Sequence, residues 1–218
     1  MEQKLIQQKY HNEHIKSTIC GSGVDLPATV DGERFKEKYQ LEEYIVYVGR
    51  IDYGKNCDEL FSFFTKYKKH APYNVKLVLL GKPVMPVPEA SDIISLGFVS
   101  DQDKFDGIAG ARALVLPSKF ESLSMVVLEA MAVQTPVLIN GVCEVLKAHC
   151  TKSNGGLYYT NYGEFEGGLN YLLNPANAEI VAQMKANAKR YVDENYQWDA
   201  ICARLRGLIE DVSNERRF

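Results

Sequence analysis

Residues 113–140 read ALVLPSKFESLSMVVLEAMAVQTPVLIN. The stretch opens on an apolar run, Ala113-Leu114-Val115-Leu116, that stops at Pro117-Ser118. After the polar segment 119–124, a helical pattern covers residues 125–133, and Pro136 introduces a second apolar run, Val137-Leu138-Ile139. Short apolar runs bounded by turn residues are strands buried on both faces, and a helix between two of them makes a βαβ unit in a parallel sheet. Open α/β sheets bind ligands where such a strand hands over to its helix. Two carboxylates, Glu121 and Glu129, flank that hand-over.

The same alternation extends outward. Upstream, Tyr44-Ile45-Val46-Tyr47-Val48-Gly49 predicts a strand, residues 58–70 a helix with Leu60, Phe63, Phe64 and Tyr67 at helical spacing, and residues 75–80 a further strand closed by Gly81. The aromatics of that helix read as packing against the sheet. Pro83, Pro86 and Pro88 make 82–91 an extended, partly stiff loop, after which 93–96 is a short strand and 101–111 a helix. Downstream, 140–145 is a loop into a short helix, Gly155-Gly156 turns into a last strand, and 162–173, 176–191 and 198–212 are helical. Residues 31–39 form a charged helix, and the chain before them is the least patterned part. The fold class is α/β: a Rossmann-like parallel sheet of about five or six strands with helices on both faces, closed by C-terminal helices.

The 218 residues suffice for a core that needs no metal or disulfide. A net charge of −3 argues against a nucleic-acid partner, whose counterion release requires clustered Lys and Arg. The cysteines (Cys20, Cys57, Cys143, Cys150, Cys202) are odd in number and lack C-x-x-C spacing, so they read as reduced thiols. No apolar run reaches the ~20 residues of a membrane span, and the first residues lack the apolar centre of a signal peptide. Cytoplasm is the expected compartment. Lys66, Lys68, Lys69 and Arg216-Arg217 leave peripheral membrane contact open, although a solvated helix face and a chain terminus are the plainer readings.

Two short motifs carry less than their spelling suggests. Gly21-x-Gly23 has Leu26 where a dinucleotide fingerprint needs a third glycine, and it reads as a turn. Asp101-Gln102-Asp103 spells the DxD that holds a metal in some sugar-nucleotide enzymes, but Asp101 reads better as a helix cap and Asp103 as a first-turn acid suited to the dipole.

In such a sheet the loops at the C-terminal strand ends line one edge, so 49–55, Gly81, 97–99, 117–124 and 140–144 are expected to converge. Arg50 and Lys55 then face that edge beside Gly49 and Gly54, a guanidinium and an ammonium suited to a diphosphate. The N-terminus of the helix after Ser124 adds backbone N–H groups and a positive dipole end. Ionised Glu121 and Glu129 can each accept from a vicinal diol of a sugar or ribose. From spacing alone the plainer alternative, a buried and structurally paired Glu129 with a solvated Glu121, has the edge.

Taken together the motifs carry a resemblance. Gly49-Arg50-Ile51 with Lys55, Leu96-Gly97-Phe98-Val99, Pro117-Ser118-Lys119-Phe120-Glu121, the Glu121/Glu129 spacing, Glu129-Ala130-Met131-Ala132 and Thr135-Pro136-Val137 occur in order. The chain resembles the C-terminal, donor-binding domain of retaining GT-B glycosyltransferases of family 4, the group 1 glycosyl transferases, over about residues 19–198. The resemblance implies that Arg50 and Lys55, next to Gly49, neutralise a nucleotide diphosphate, that Glu129 holds the ribose hydroxyls and that Glu121 holds the transferred sugar. It implies donor contacts from Ser122, Leu123, Ser124 and Met125, and a base lying against Phe98 and Val99. Transfer would need no metal or other cofactor; the donor is a nucleoside diphosphate sugar, with UDP slightly preferred over GDP and ADP not distinguished.

Departures from the family pattern bear on the donor. Ser122-Leu123-Ser124 stands where Gly-Phe-Gly is common and is expected to narrow the pocket or change the backbone there; Lys55-Asn56 replaces Lys-Gly, a milder change because Asn tolerates left-handed backbone. Residues 1–27 resemble the tail of an N-terminal acceptor domain and its linker, leaving 28–218 as the donor domain. The chain is therefore expected to be an incomplete enzyme, with a glycan or lipid-linked acceptor bound by the missing half, in the cytoplasm or at the inner membrane face. Two other readings compete: a non-catalytic nucleotide-sugar binding module, and a sugar-nucleotide epimerase of the same architecture.

Overall fold

Branched and aromatic residues with no charge inside the run make Tyr44-Ile45-Val46-Tyr47 a strand with no solvent side, and all four are fully buried. In the computed structural model, which describes residues 2–215, this strand (β1, Tyr44–Val48) sits at the centre of a parallel sheet. The others are β2 (Lys76–Leu80), β3 (Ile93–Gly97), β4 (Ala113–Leu116), β5 (Val137–Asn140) and β6 (Gly156–Tyr159). They lie in the order β3-β2-β1-β4-β5-β6, every pair parallel. The expected α/β class and strand positions hold.

The helices are α1 (Glu2–Tyr10), α2 (Gly32–Tyr39), α3 (Cys57–Lys68), α4 (Asp101–Ala109), α5 (Met125–Ala132), α6 (Glu144–Ser153), α7 (Tyr162–Leu173), α8 (Ala178–Asn195) and α9 (Trp198–Glu215). Right-handed crossovers place α3, which steps from β1 to β2, on one face, and α4, α5 and α6, which step the other way, on the opposite face. Accordingly α5 packs on α4 and α8, while α3 packs on α7, where Phe63 meets Tyr162 and Phe165. Two expectations are extended: the unpatterned start contains α1, and the short helix after β5 runs on to Ser153. Arg216 and Arg217 lie outside the described residues. Among those described, no helix is long and apolar enough to cross a membrane, and all five cysteines are free thiols.

Two polar junctions tie the ends of this unit together. Asp106 of α4, 1% exposed, accepts from the Asp31 N–H (2.8 Å), from Arg34 Nε and Nη2 (2.6 and 2.8 Å) and from Gln102 (3.0 Å), fastening α2 to α4. Further on, residues 20–25 are stitched to the α8–α9 turn. Val24 N–H donates to the Tyr196 carbonyl (2.8 Å), Trp198 Nε1 to Asp25 (2.8 Å), and Arg204 Nη2 to the Cys20 and Asn195 carbonyls (2.9 and 2.6 Å).

Candidate functional site

The strand order reverses between β1 and β4, so the loops leaving these neighbours part to opposite sides and open a crevice at the sheet's C-terminal edge. On the β1 side, the strand ends are laced closely. Gly81 has φ +148° and a Cβ there would lie 1.9 Å from the Gly49 carbonyl oxygen, so only glycine lets these backbones meet. Gly49 N–H donates to the Leu80 carbonyl (2.9 Å), Gly81 N–H to Gly97 (2.7 Å) and Ile51 N–H to Lys82 (3.0 Å). The loops after β1, β2 and β3 therefore act as one wall.

Within that wall, the loop after β1 is held from inside. The buried Tyr47 hydroxyl donates to the Arg50 carbonyl (2.7 Å), and Asp52 caps the following 3-10 turn by accepting the Lys55 N–H (2.7 Å). The other Asp52 oxygen takes the Arg50 guanidinium. Desolvation pushes the Asp52 carboxyl up, but Arg50 and the Lys55 N–H outweigh it and hold it below the usual carboxylate range. Asn56 follows with φ 61°, as expected for the residue replacing glycine, and its side chain donates to Glu59 (2.8 Å) and to the Pro117 carbonyl (3.1 Å) across the crevice.

On the far side, the loop after β4 is anchored by Glu59, which accepts from Lys119 (2.9 Å) and Asn140 (3.1 Å) as well as Asn56. Lys55 Nζ reaches over to Glu121 Oε1 at 2.7 Å. Glu121 is thus no solvated acid: its side chain is 13% exposed and paired across the crevice, because the loop folds back toward β1. The loop ends in Ser124, which caps α5 with φ 63° and ψ 78° and makes no side-chain cap bond. Ser122-Leu123-Ser124 thus ends in a left-handed residue that carries a side chain. The hydroxyls of Ser118 and Ser124 are both buried there without a partner. Ser124→Gly is expected to relieve about 1 kcal/mol of left-handed strain, raising Tm by about 2–4 °C in a thermal melt.

Glu129, on the inner turn of α5, pairs with Lys104 of α4 (3.0 Å), which also lies 3.6 Å from Asp101. Glu129 is thus the paired acid of the plainer reading. The cap of α4 is Ser100, accepting the Asp103 N–H at 3.1 Å, and not Asp101, which stands 93% exposed in the first turn. Asp103 is taken up by Lys38 (2.8 Å), and that bond, ahead of desolvation, holds its carboxyl low.

Three adjoining hollows follow from these walls. One of about 320 Å³ is lined by Gly49, Arg50, Lys82, Phe98, Val99 and Lys104, and Phe98 projects into solvent beside it, 91% exposed. A second, about 450 Å³, lies between Glu129, Met125, Lys104 and Trp198. The third, about 560 Å³, lies between Glu121, Ser122 and residues 3–21. Lys55 meets Glu121, Arg50 shares a hollow with Phe98 and Val99, and Met125 and Glu129 line the next across Lys104; four cation–carboxylate pairs lie along this edge: Arg50–Asp52, Lys55–Glu121, Lys104–Glu129 and Lys119–Glu59. Sequence reading missed Lys104, Glu59 and Tyr47, and it quoted Lys119 without its partner. A charge on a helix or a Tyr inside a strand carries no local sign that it turns toward a distant loop.

Residues 30–191 match the model of the family described as glycosyl transferases group 1. The chain belongs to this family. Among curated relatives of this group 1 member, an uncharacterized glycosyltransferase of Methanocaldococcus jannaschii is 29% identical over 171 residues, covering 73% of this chain and 43% of the relative. Glycosyltransferase 1 domain-containing protein 1 of Xenopus tropicalis is 30% identical over 152 residues, covering 64% of this chain and 42% of its own length. The chain thus spans less than half the length of these curated relatives. Among solved structures, sucrose-phosphate synthase of Thermosynechococcus elongatus superposes with TM-score 0.74 at 19% identity, over 98% of this chain and 57% of that one. Anabaena HepE in complex with UDP-glucose superposes with TM-score 0.69 at 14% identity, over 89% of this chain and 56% of that one. At these identities the likeness is one of fold: the group 1 chain has the Rossmann-like fold of these GT-B glycosyltransferases.

Proposed function

We propose that the chain is the donor-binding domain of a retaining, metal-independent glycosyltransferase that moves a sugar from a nucleoside diphosphate to a glycan or lipid-linked acceptor. In this reading residues 28–218 hold the donor and 1–27 lead from an acceptor-binding domain, the enzyme working in the cytoplasm or at the inner membrane face. The observation that carries it is the Lys55–Glu121 pair at 2.7 Å across the β1/β4 switch point. It sets a cation and a hydroxyl acceptor where an open α/β sheet takes its ligand.

The chemistry follows from exchanging the internal pairs for the donor. A diphosphate arriving at the crevice takes the Lys55 ammonium and the Arg50 guanidinium, releasing Glu121 to accept from hydroxyls of the transferred sugar. Glu129, released by Lys104, accepts from the ribose, with the base along Phe98 and Val99 beside Gly49. The first turn of α5 offers N–H groups without helical partners, and Ser122, Leu123, Ser124 and Met125 line that turn. As the diphosphate departs, negative charge grows on the leaving oxygen and positive character on the sugar. Cations already fixed at that oxygen stabilise the transition state without solvent reorganisation.

The test is a thermal-shift panel of UDP, GDP and ADP with their sugars. A ligand at about ten times its Kd stabilises by roughly 1.4 kcal/mol, a rise of about 3–5 °C in a chain of this size. The UDP compounds are expected to give the largest shift, the base carried by the donor seen in HepE. No shift with any of them at millimolar concentration would overturn the donor site.

A further inference from the structure

One buried titratable side chain near the crevice has no part in the scheme above. His149 of α6 is 4% exposed, and its Nε2 lies 2.8 Å from the carbonyl oxygen of Leu123 in the loop that ends at Ser124. A carbonyl only accepts, so Nε2 carries the proton. Its Nδ1 faces the Tyr191 hydroxyl at 3.1 Å, and that hydroxyl faces the Tyr196 hydroxyl at 3.2 Å. In a neutral ring Nδ1 must accept, so Tyr191 donates to His149 and Tyr196 donates to Tyr191. Each hydrogen in the row then has one direction. The ring is also enclosed edge-on by both tyrosines, with centroids 6.0 and 5.8 Å away.

We propose that His149 is a positioning residue of the 122–124 loop: a neutral imidazole held in one tautomer by Tyr191, it grips the Leu123 carbonyl and so maintains the left-handed turn at Ser124 that starts α5. Ser124 needs such a grip. It adopts φ 63° with a side chain, its hydroxyl bonds nothing, and no side chain caps the helix there. A non-glycine residue in that region persists only where its surroundings over-determine it. Burial keeps the ring neutral and the Lys152 charge on its own helix acts in the same sense, against the opposing pull of the Leu123 bond. The other titratable groups in contact are Tyr191, itself pushed up by burial, and Tyr196. The row also ends on a structural junction, because Tyr196 is the residue whose carbonyl receives Val24 N–H.

The test reads the unliganded chain first. Nitrogen chemical shifts of His149 at pH 7 are expected to show the neutral Nε2–H tautomer; an imidazolium or the other tautomer would overturn the proposal. His149→Phe keeps a ring but loses both bonds, and amide hydrogen exchange over residues 122–127 is expected to rise about five- to tenfold, the effect of one net hydrogen bond, while β1–β3 is unchanged. His149→Gln, whose side-chain amide can donate as Nε2 does, is expected to restore most of the protection. Tyr191→Phe keeps Nε2 in place but frees the tautomer, and it serves should His149→Phe not fold; it is expected to raise exchange over the same segment. Unchanged exchange in that segment, or a rise spread evenly over the whole chain, overturns the role. Because exchange is read without ligand, the role is decided even in a chain that binds no nucleotide, the result that would instead defeat the donor-site reading on which the loop's function rests.

Discussion

Lys55→Ala is expected to weaken nucleoside diphosphate binding by about 100-fold, measured by calorimetry at fixed ionic strength. One charge-assisted hydrogen bond to a phosphate accounts for roughly 1.5–3 kcal/mol. The variant also leaves Glu121, with its side chain 13% exposed, facing the incoming anion without its counter-charge. Both effects have the same sign. Glu121→Gln separates the two halves of the pair: the free nucleotide should bind at least as well as to the parent chain, since Lys55 no longer has to leave a carboxylate. The sugar nucleotide should lose its advantage over the free nucleotide. A Kd for Lys55→Ala within threefold of the parent would remove Lys55 from the diphosphate site, and equal losses for both ligands in Glu121→Gln would remove Glu121 from the sugar.

The second large effect concerns stability. Asp106→Ala is expected to destabilise the fold by about 2–3 kcal/mol, because it removes a buried carboxylate and leaves the Asp31 N–H and Gln102 without their shared acceptor, while Arg34, its side chain 45% exposed, turns to water. In a chain of this length that is a fall of roughly 4–12 °C in Tm. The pH dependence has a definite sign. Desolvation raises the Asp106 carboxyl, but Arg34, the Asp31 N–H and Gln102 together hold it below the usual carboxylate range. The folded chain therefore binds that proton less readily than the unfolded one. Its contribution is complete above the unfolded value near 4 and is lost as pH falls through the folded value. Urea unfolding of Asp106→Asn should show a shallower acid limb than the parent chain; an unchanged limb would show that other carboxylates set it.

Strands and most helices were legible because each lies in a local pattern: Tyr44–Val48 and Ala113–Leu116 are short apolar runs closed by turn residues, and such runs have one stable place, inside a parallel sheet. The gathering of Arg50, Lys55, Phe98, Val99, Glu121 and Glu129 at one edge was legible for the same reason, since topology places every βα loop there. The pairings were not. Nothing in the run around Lys104 distinguishes it from any solvated helix lysine, and its meeting with Glu129 depends on how α4 packs on α5. Asp101 looked like the cap because it opens the helix, yet Ser100 had the backbone geometry to take the bond. Ser122-Leu123-Ser124 was visible as a departure, while the group gripping it, His149, stands 26 residues away from Leu123 in a helix whose start alone was visible.

The stitching of residues 20–25 to the α8–α9 turn bears on how this domain is to be cut. Family membership is written in residues 30–191, but a fragment with those limits would discard Val24, Asp25, Tyr196, Trp198 and Arg204 together. It would also discard the hydroxyl that gives Tyr191 its direction. Such a fragment would retain Arg50, Lys55, Glu121 and Glu129 but lose Trp198, which lines the hollow beside Glu129, and with it the fastening that keeps its margin shut. The segment that names the family is shorter than the segment that can be handled as a domain, and a protease should show the difference by leaving a resistant piece that reaches past residue 204.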